Sequence, residues 1–220
     1  MNSVRQSVEL LEKNRPQQQR AIKTYESILD SAAELLVEVG LERISTNLIA
    51  EKAGITVPAL YRYFPNKYSI LNALGERLME RQNLAFQQWH EDHVVGAPAR
   101  DISEGLADAL HAAYTATRSL VGGVQIMHAL QAIEPLQKVR LNNHWTASEM
   151  FARVWAEQFG VEFDPAAIDR ARIAVELGYA TIQMAIEDDR CNPELVLREG
   201  AMAIGLYLDH AMRLGGIDLD

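Results

Sequence analysis

Three observations predict an all-α chain. Apolar residues recur at helical spacing in nearly every segment, no stretch beyond Lys67 reads as a strand, and caps and breakers punctuate the sequence at intervals suited to helices. The punctuation divides the chain into nine helices, three in an N-terminal head and six behind it. The predicted organisation is a flexible basic arm over residues 1–22, a compact three-helix head over 23–68, and a larger helical domain over 69–220.

The arm carries Arg5, Lys13, Arg15 and Arg20, with Lys23 just beyond, against Glu9 and Glu12, and includes the polar run NRPQQQR. A first helix follows from about Lys23 to Gly40. Ser45 or Thr46 caps the second by accepting an otherwise unpaired backbone N–H, and Leu48, Ile49 and Ala50 give it apolar surface. It stops at Ala53-Gly54, where glycine enters the left-handed region without a Cβ penalty. Thr56 caps again at once, and Pro58 is tolerated in the first turn, where its missing N–H costs little. On this third helix Leu60 and Phe64 lie one turn apart and face inward, while Val57, Ala59, Tyr61 and Arg62 fall on other faces. Lys67 opens the next helix after the Pro65-Asn66 break.

That fourth helix is long, marked by Ile70, Leu71, Leu74, Leu78, Leu84 and Phe86, and Gly96-Ala97-Pro98 ends it. Asp101 with Glu104 forms an acidic capping-box variant before a helix containing Leu106, Leu110 and Tyr114. After Gly122-Gly123 a short helix carries Val124, Met127, Leu130 and Gln131, and Pro135 introduces another that runs to about Phe159. Asp164-Pro165 and Asn192-Pro193 are each a cap followed by a first-turn proline, which starts the last two helices. Gly178 and Gly205 sit in their interiors at a cost of roughly 1 kcal/mol each relative to alanine. Close helix approach is the predicted compensation, with Ala201 and Ala203 extending the shallow surface. The expected partner surface is the same helix pair in a second copy, giving a homodimer through the last two helices.

The cap-turn-cap unit from Ile44 to Leu71 has the form of a helix-turn-helix reader of double-stranded DNA. Small residues at the start of its second helix permit close approach to base edges, and Val57 or Ala59 suits a thymine methyl. Arg62 fits a guanine or a phosphate. The hydroxyls of Tyr61 and Tyr63 and the ammonium of Lys67 suit phosphate oxygens, contacts that fix register more than sequence. Here the chain resembles the TetR family of bacterial transcriptional regulators. The likeness is carried by KTYESILDSAAELLVEVG from Lys23 to Gly40, then Ser45, Ile49-Ala50, Ala53-Gly54-Ile55, Leu60-Tyr61-Arg62-Tyr63-Phe64 and Asn66-Lys67. Leu48 stands where the family often has an acidic residue, Tyr68-Ser69 replace a common acidic pair, and Pro58 replaces a frequent glycine. The resemblance implies DNA contact through Thr46, Asn47, Thr56, Val57, Pro58, Ala59, Tyr61, Arg62, Tyr63 and Lys67. It also implies a dimer on a pseudo-palindromic operator and a two-state switch, most commonly a repressor that a small effector releases. Ligand-dependent activation and corepression are the alternatives.

The net charge of −9 divides unevenly. Residues 1–70 carry nine Lys/Arg against eight Asp/Glu, and residues 71–220 carry twelve against twenty-two. One end is thereby suited to phosphates and the other to solubility. No run approaches the roughly 18 apolar residues of a membrane span and no signal peptide opens the chain, so a cytoplasmic location without membrane association is expected. A single cysteine, Cys191, excludes an internal disulfide and a cysteine-rich zinc site. His90 and His93 have a spacing that can hold a metal, the one feature favouring a helical metal-dependent enzyme, but no third ligand, nucleotide loop or nucleophile motif accompanies them. No catalytic residue and no cofactor is expected.

An effector compartment is expected among the middle helices, since pockets in helical bundles are mostly apolar with a few orienting polar groups. The residues singled out are Tyr114, Met127, His128, Gln131, His144, Trp145, Ser148, Phe151, Trp155, Tyr179 and Gln183. They suggest a bulky, largely apolar ligand with one or two hydrogen-bonding groups.

Overall fold

The computed structural model describes residues 10–13, 16–93, 101–159 and 165–214, and among these nine helices and no strand. They are α1 (Gln19–Arg43), α2 (Thr46–Lys52), α3 (Val57–Leu60), α4 (Lys67–His93), α5 (Asp101–Ser119), α6 (Gly123–Ala132), α7 (Glu134–Phe159), α8 (Pro165–Glu187) and α9 (Pro193–Leu214). The 96–98 breaker and the cap at Asp164 lie outside the described residues, as do the side chains of Asp101 and Glu104. The helix α1 begins earlier than Lys23, so the last residues of the expected arm already belong to it; Gly40, at φ 76°, interrupts it near its end.

Two compact units form. One comprises residues up to Met79 together with Ser119–Leu141, and the other comprises Glu80–Arg118 and Asn142 onward. These bounds differ from a division at residue 68. Ile70, Leu71, Leu74 and Leu78 on the first part of α4 are at most 2% exposed and belong to the core of the head. That core also takes in Ile126, Ala129 and Leu130 of α6, which packs against α1. Gly122 makes the approach possible: φ is 70°, and a Cβ there would meet the Ala33 carbonyl oxygen at 2.8 Å.

In the first unit, α1, α2, α3 and α4 surround Ile28, Leu36, Ile49, Leu60 and Phe64, all at most 1% exposed. Each such side chain contributes roughly 1.5–3 kcal/mol on burial. Tyr25 stacks on Phe64 with centroids 5.1 Å apart. Two cations tie the outer helices to the acidic face of α1: Arg77 pairs with Glu26 and Asp30, and Lys52 with Glu34 and Glu38. The two carboxylates, Glu38 foremost, raise the pKa of Lys52.

In the second unit α8 and α9 pack closely as a pair, and their turn is fixed by Asp188, which accepts from the Arg190 backbone N–H and guanidinium. Asn192 Oδ1 then accepts from Leu195 N, capping α9. The glycine that permits this packing is Gly200, where a Cβ would lie 2.3 Å from Thr181 Cγ2. Gly178 faces Leu110 of α5 and Ile204 of α9 within the same chain, which accounts for it without a second copy. Cys191 is a free, half-buried thiol.

Candidate nucleic-acid interface and ligand cavity

Three consecutive caps shape the surface of the head. Ser45 Oγ accepts from Leu48 N at 3.3 Å and starts α2. After Gly54, at φ 66°, Thr56 Oγ1 accepts from Ala59 N at 3.4 Å and starts α3. Although α3 is short, the chain keeps winding past it, since Phe64 N still donates to Leu60 O at 3.0 Å. Asn66 then caps α4 through Oδ1, which accepts from Tyr68 N and Ser69 N. Ser69 Oγ in turn accepts from Asn66 N at 3.4 Å, so serine closes the box that an acidic residue closes elsewhere.

Leu60 and Phe64 point inward, as their one-turn spacing requires. Asn47, Thr56, Pro58, Tyr61 and Arg62 are exposed, and Thr46, Ala59, Tyr63 and Lys67 are half-buried. Val57 packs partly against the core, which leaves less of it for a base edge than its position on the helix suggests. Hydrogen bonds draw three of these residues to one corner. The hydroxyls of Thr46 and Tyr61 are 3.2 Å apart, and Lys67 Nζ donates at 3.3 Å to the carbonyl of Ile44, two residues before Thr46. Tyr63 sits at an edge angle to Tyr25, 6.4 Å between centroids. The segment before α1 also reaches this region: Lys13 N donates to Tyr63 O at 2.8 Å, and Tyr25 OH donates to Glu12. Sequence reasoning had left that anchor unseen, because Glu12 in a basic run gives no sign of the tyrosine it will meet.

The second unit contains an apolar cavity of about 100 Å³. Its wall is made by Leu106, Ala109, Leu110 and Ala113 of α5, Ala147, Met150 and Phe151 of α7, and Ala174, Val175, Gly178, Tyr179 and Ile182 of α8. Phe86 of α4 and Ile204 of α9 complete the apolar part, and Gln82 and Asn83 of α4 add amides. Of the residues singled out from sequence, Phe151 and Tyr179 line it. His144 stands directly behind, its ring stacked on Tyr179 at 3.8 Å and its Nδ1 3.0 Å from Glu176 Oε1. Ser148 is buried and donates to the His144 carbonyl oxygen.

The others are placed elsewhere. Met127, His128 and Gln131 belong to α6 and hence to the head. Trp145 is 47% exposed and donates to Glu149, because one residue beyond His144 turns it about 100° around the helix. Gln183 donates to Glu187, and Tyr114 lies beside Arg118. The side chains of Trp155 and His93 lie outside the described residues. What sequence reasoning missed is the row of small residues. Aromatics stand out in a sequence, but space is left by Ala109, Ala113, Ala147, Ala174 and Gly178 facing one another. The spacing Leu106, Ala109, Leu110, Ala113 was the available signal. The volume is also smaller than a bulky ligand needs, given that a cavity of about 150 Å³ admits benzene.

Burial pushes the Tyr179 hydroxyl up to about 12, so the group is neutral at physiological pH. Asn143 donates to it at 3.3 Å. Among the described residues no cluster of three or more His, Cys, Asp or Glu could hold a metal ion, and no helix is long and apolar enough to cross a membrane.

Comparison with known proteins agrees with this geometry. Residues 28–74 match the family model described as bacterial regulatory proteins, tetR family. The tetracycline repressor protein class C of Escherichia coli is 43% identical over 54 residues, 24% of this chain and 25% of that protein. An uncharacterized HTH-type transcriptional regulator of Mycobacterium bovis is 30% identical over 104 residues, 44% of this chain and 53% of that one. The chain thus spans about a quarter to a half of the length of these curated relatives. A TetR-family transcriptional regulator from Streptomyces coelicolor superimposes with a TM-score of 0.61 at 23% identity, over 85% of this chain and 98% of that one, which extends the likeness of fold through both units.

Proposed function

We propose that this chain, whose residues 28–74 match the tetR family model and whose helices share the fold of a TetR-family regulator, is a sequence-specific DNA-binding transcriptional regulator of that family, acting as a homodimeric repressor that a small, largely apolar effector releases from a pseudo-palindromic operator. The observation that carries this reading is the corner formed by Thr46, Tyr61 and Lys67 next to the exposed Arg62. Two hydroxyls, an ammonium and a guanidinium on one capped, rigid unit are suited to phosphates and a base edge. Two further cations of the head, Arg77 and Lys52, are ion-paired with α1 and hold the unit together instead.

The dimer reading rests on apolar residues left exposed on α8 and α9. Ile173, Leu177 and Met184 fall within about 40° of one another on α8, as do Leu195, Met202 and Leu206 on α9. Such stripes suit a four-helix bundle with a second copy, and a twofold dimer matches two heads to two half-sites. Effector release is the reading of the cavity. The helix α4 starts at Lys67 and carries Gln82, Asn83 and Phe86 at the cavity wall, so a ligand that prefers another arrangement of that wall displaces a helix covalently continuous with the reading unit. The ligand shifts the balance by its differential affinity, typically about 1–3 kcal/mol.

Selection from random duplex DNA at near-physiological salt, without added ligand, tests the reading. Recovery of one pseudo-palindrome supports a dimeric regulator that binds without effector. Recovery only when a ligand is added would replace release by corepression, and no enriched motif under either condition would overturn the regulator reading.

A further inference from the structure

The polar chain beside the cavity has a direction. Asn83 Nδ2 donates to Asn143 Oδ1 at 3.0 Å, and Asn143 Nδ2 donates to the Tyr179 hydroxyl at 3.3 Å. Each amide gives its N–H to the next member, so the phenol at the end accepts and retains its own O–H to give. Among the described residues no acceptor meets that O–H. The ring cannot swing away to find one, because His144 is stacked flat against it with planes 11° apart, and His144 is itself held by Glu176, which Arg172 also pairs with.

The rest of the wall is hydrocarbon with the amides of Gln82 and Asn83, and Gln82 already spends its Nε2 on Thr117 at 2.9 Å. No residue with a formal charge lines the cavity among those described. A carboxylate or ammonium entering it would lose its water without gaining a counter-charge. A carbonyl oxygen, by contrast, needs one donor, and a buried O–H without an acceptor favours any ligand that supplies one. A space of about 100 Å³ limits the guest to fewer heavy atoms than a six-membered ring, since a cavity of about 150 Å³ is what admits benzene.

We propose that the cavity takes a compact, uncharged, mostly apolar molecule bearing one carbonyl-type oxygen, which accepts a hydrogen bond from Tyr179. The assignment deepens, and rests on, the reading of this unit as the effector compartment. The donor comes from α8, the orienting amides from α4 and α7, and the apolar bed from α5, so the guest would touch every helix whose arrangement the switch requires to change.

Ligand-observed NMR titration of the full chain with butan-2-one, 2-methylbut-1-ene and propionate, three probes of nearly equal size, tests it. The ketone is expected to bind at least tenfold more tightly than the carboxylate. In Tyr179→Phe, which keeps the ring and its stacking, ketone affinity is expected to fall about fivefold with alkene affinity unchanged. In Ala113→Leu, which fills the space, all three probes should lose binding. A carboxylate that binds as tightly as the ketone would overturn the proposal, as would equal losses of ketone and alkene in Tyr179→Phe, unchanged ketone affinity there, ketone binding that survives Ala113→Leu, or no binding of any probe. The two readings fail separately. Ketone binding that leaves affinity for the selected duplex unchanged removes the regulatory role and keeps the ligand class, whereas intact DNA binding with no probe bound does the reverse.

Discussion

The hydroxyls of Thr46 and Tyr61 stand 3.2 Å apart, joining the first residue of α2 to the residue just past α3. This pair braces the two helices across their turn at the surface, while Leu60 and Phe64 brace them from below. A side chain that is both 40% exposed and hydrogen-bonded, as Tyr61 is, offers a pre-positioned hydroxyl to a phosphate.

Tyr61→Phe is therefore expected to weaken binding to the selected duplex about fivefold, the worth of one hydrogen bond, while the free energy of unfolding changes by less than about 0.5 kcal/mol. Equilibrium DNA titration beside urea unfolding separates the two. Unchanged DNA affinity would assign the hydroxyl to the brace alone.

Lys67 and Arg62 should separate by kind of loss. Removing the ammonium in Lys67→Ala should lower affinity similarly on all sequences and make the log–log salt slope shallower by about 0.9. Arg62→Ala should instead relax preference at particular positions of the operator, read by repeating the selection with the variant. Equal losses from both, without change of motif, would exclude base reading by Arg62.

Two left-handed glycines should differ in what they tolerate. Gly54 has no atom within 4 Å of where a Cβ would stand, so Gly54→Ala pays the backbone conformation alone, about 1 kcal/mol. Gly122 combines the same conformation with a backbone carbonyl at 2.8 Å that cannot rotate away, so Gly122→Ala is expected to cost about 3 kcal/mol or more. Urea unfolding of the two variants checks the order.

Much of the head could be read before the structure, because its signals are local. Thr56 before Pro58 specifies a cap within a few residues, and the structure places one there, while Asn66, read only as part of a break, proves to cap α4 as well. The choice between Ser45 and Thr46 as cap was resolved by Tyr61, fifteen residues on, which engages the threonine hydroxyl. Long-range relationships were not legible. Nothing local says that α6 covers α1, since its apolar face would suit either unit equally well. The last two helices show the same limit: their interior glycines read as a partner surface, yet Gly178 meets Leu110 of the same chain, and the tightest approach falls at Gly200 instead.

Tyr179 should titrate late. Its hydroxyl ionises near 12 in the folded chain against about 10 when unfolded, so between these values the unfolded state loses the proton first. The stabilisation is fully present below about pH 10 and is lost as pH rises through 12, an effect of order 2 kcal/mol. Ultraviolet titration of the tyrosinates in the unaltered chain and in Tyr179→Phe should show one late group missing from the variant. A difference between the two curves that develops near pH 10 would mean that the hydroxyl is more hydrated than its neighbours imply.

The exposed stripes on α8 and α9 lead to the last expectation. Met202 and Leu206 are 56% and 64% exposed, one turn apart, on a helix whose other face is filled by Leu197, Ala201, Ile204 and Leu208. Substituting both with glutamate adds charge at a surface where twofold symmetry would bring each new carboxylate near its own copy. The double variant should sediment as a monomer at micromolar concentration, with its helical content unchanged because both positions already face water in the single chain. Affinity for a full pseudo-palindrome should then drop to that of a half-site, since one head can no longer bring the other. A variant that remains dimeric would place the interface elsewhere, and an unaltered chain that sediments as a monomer would leave the twofold operator without a partner.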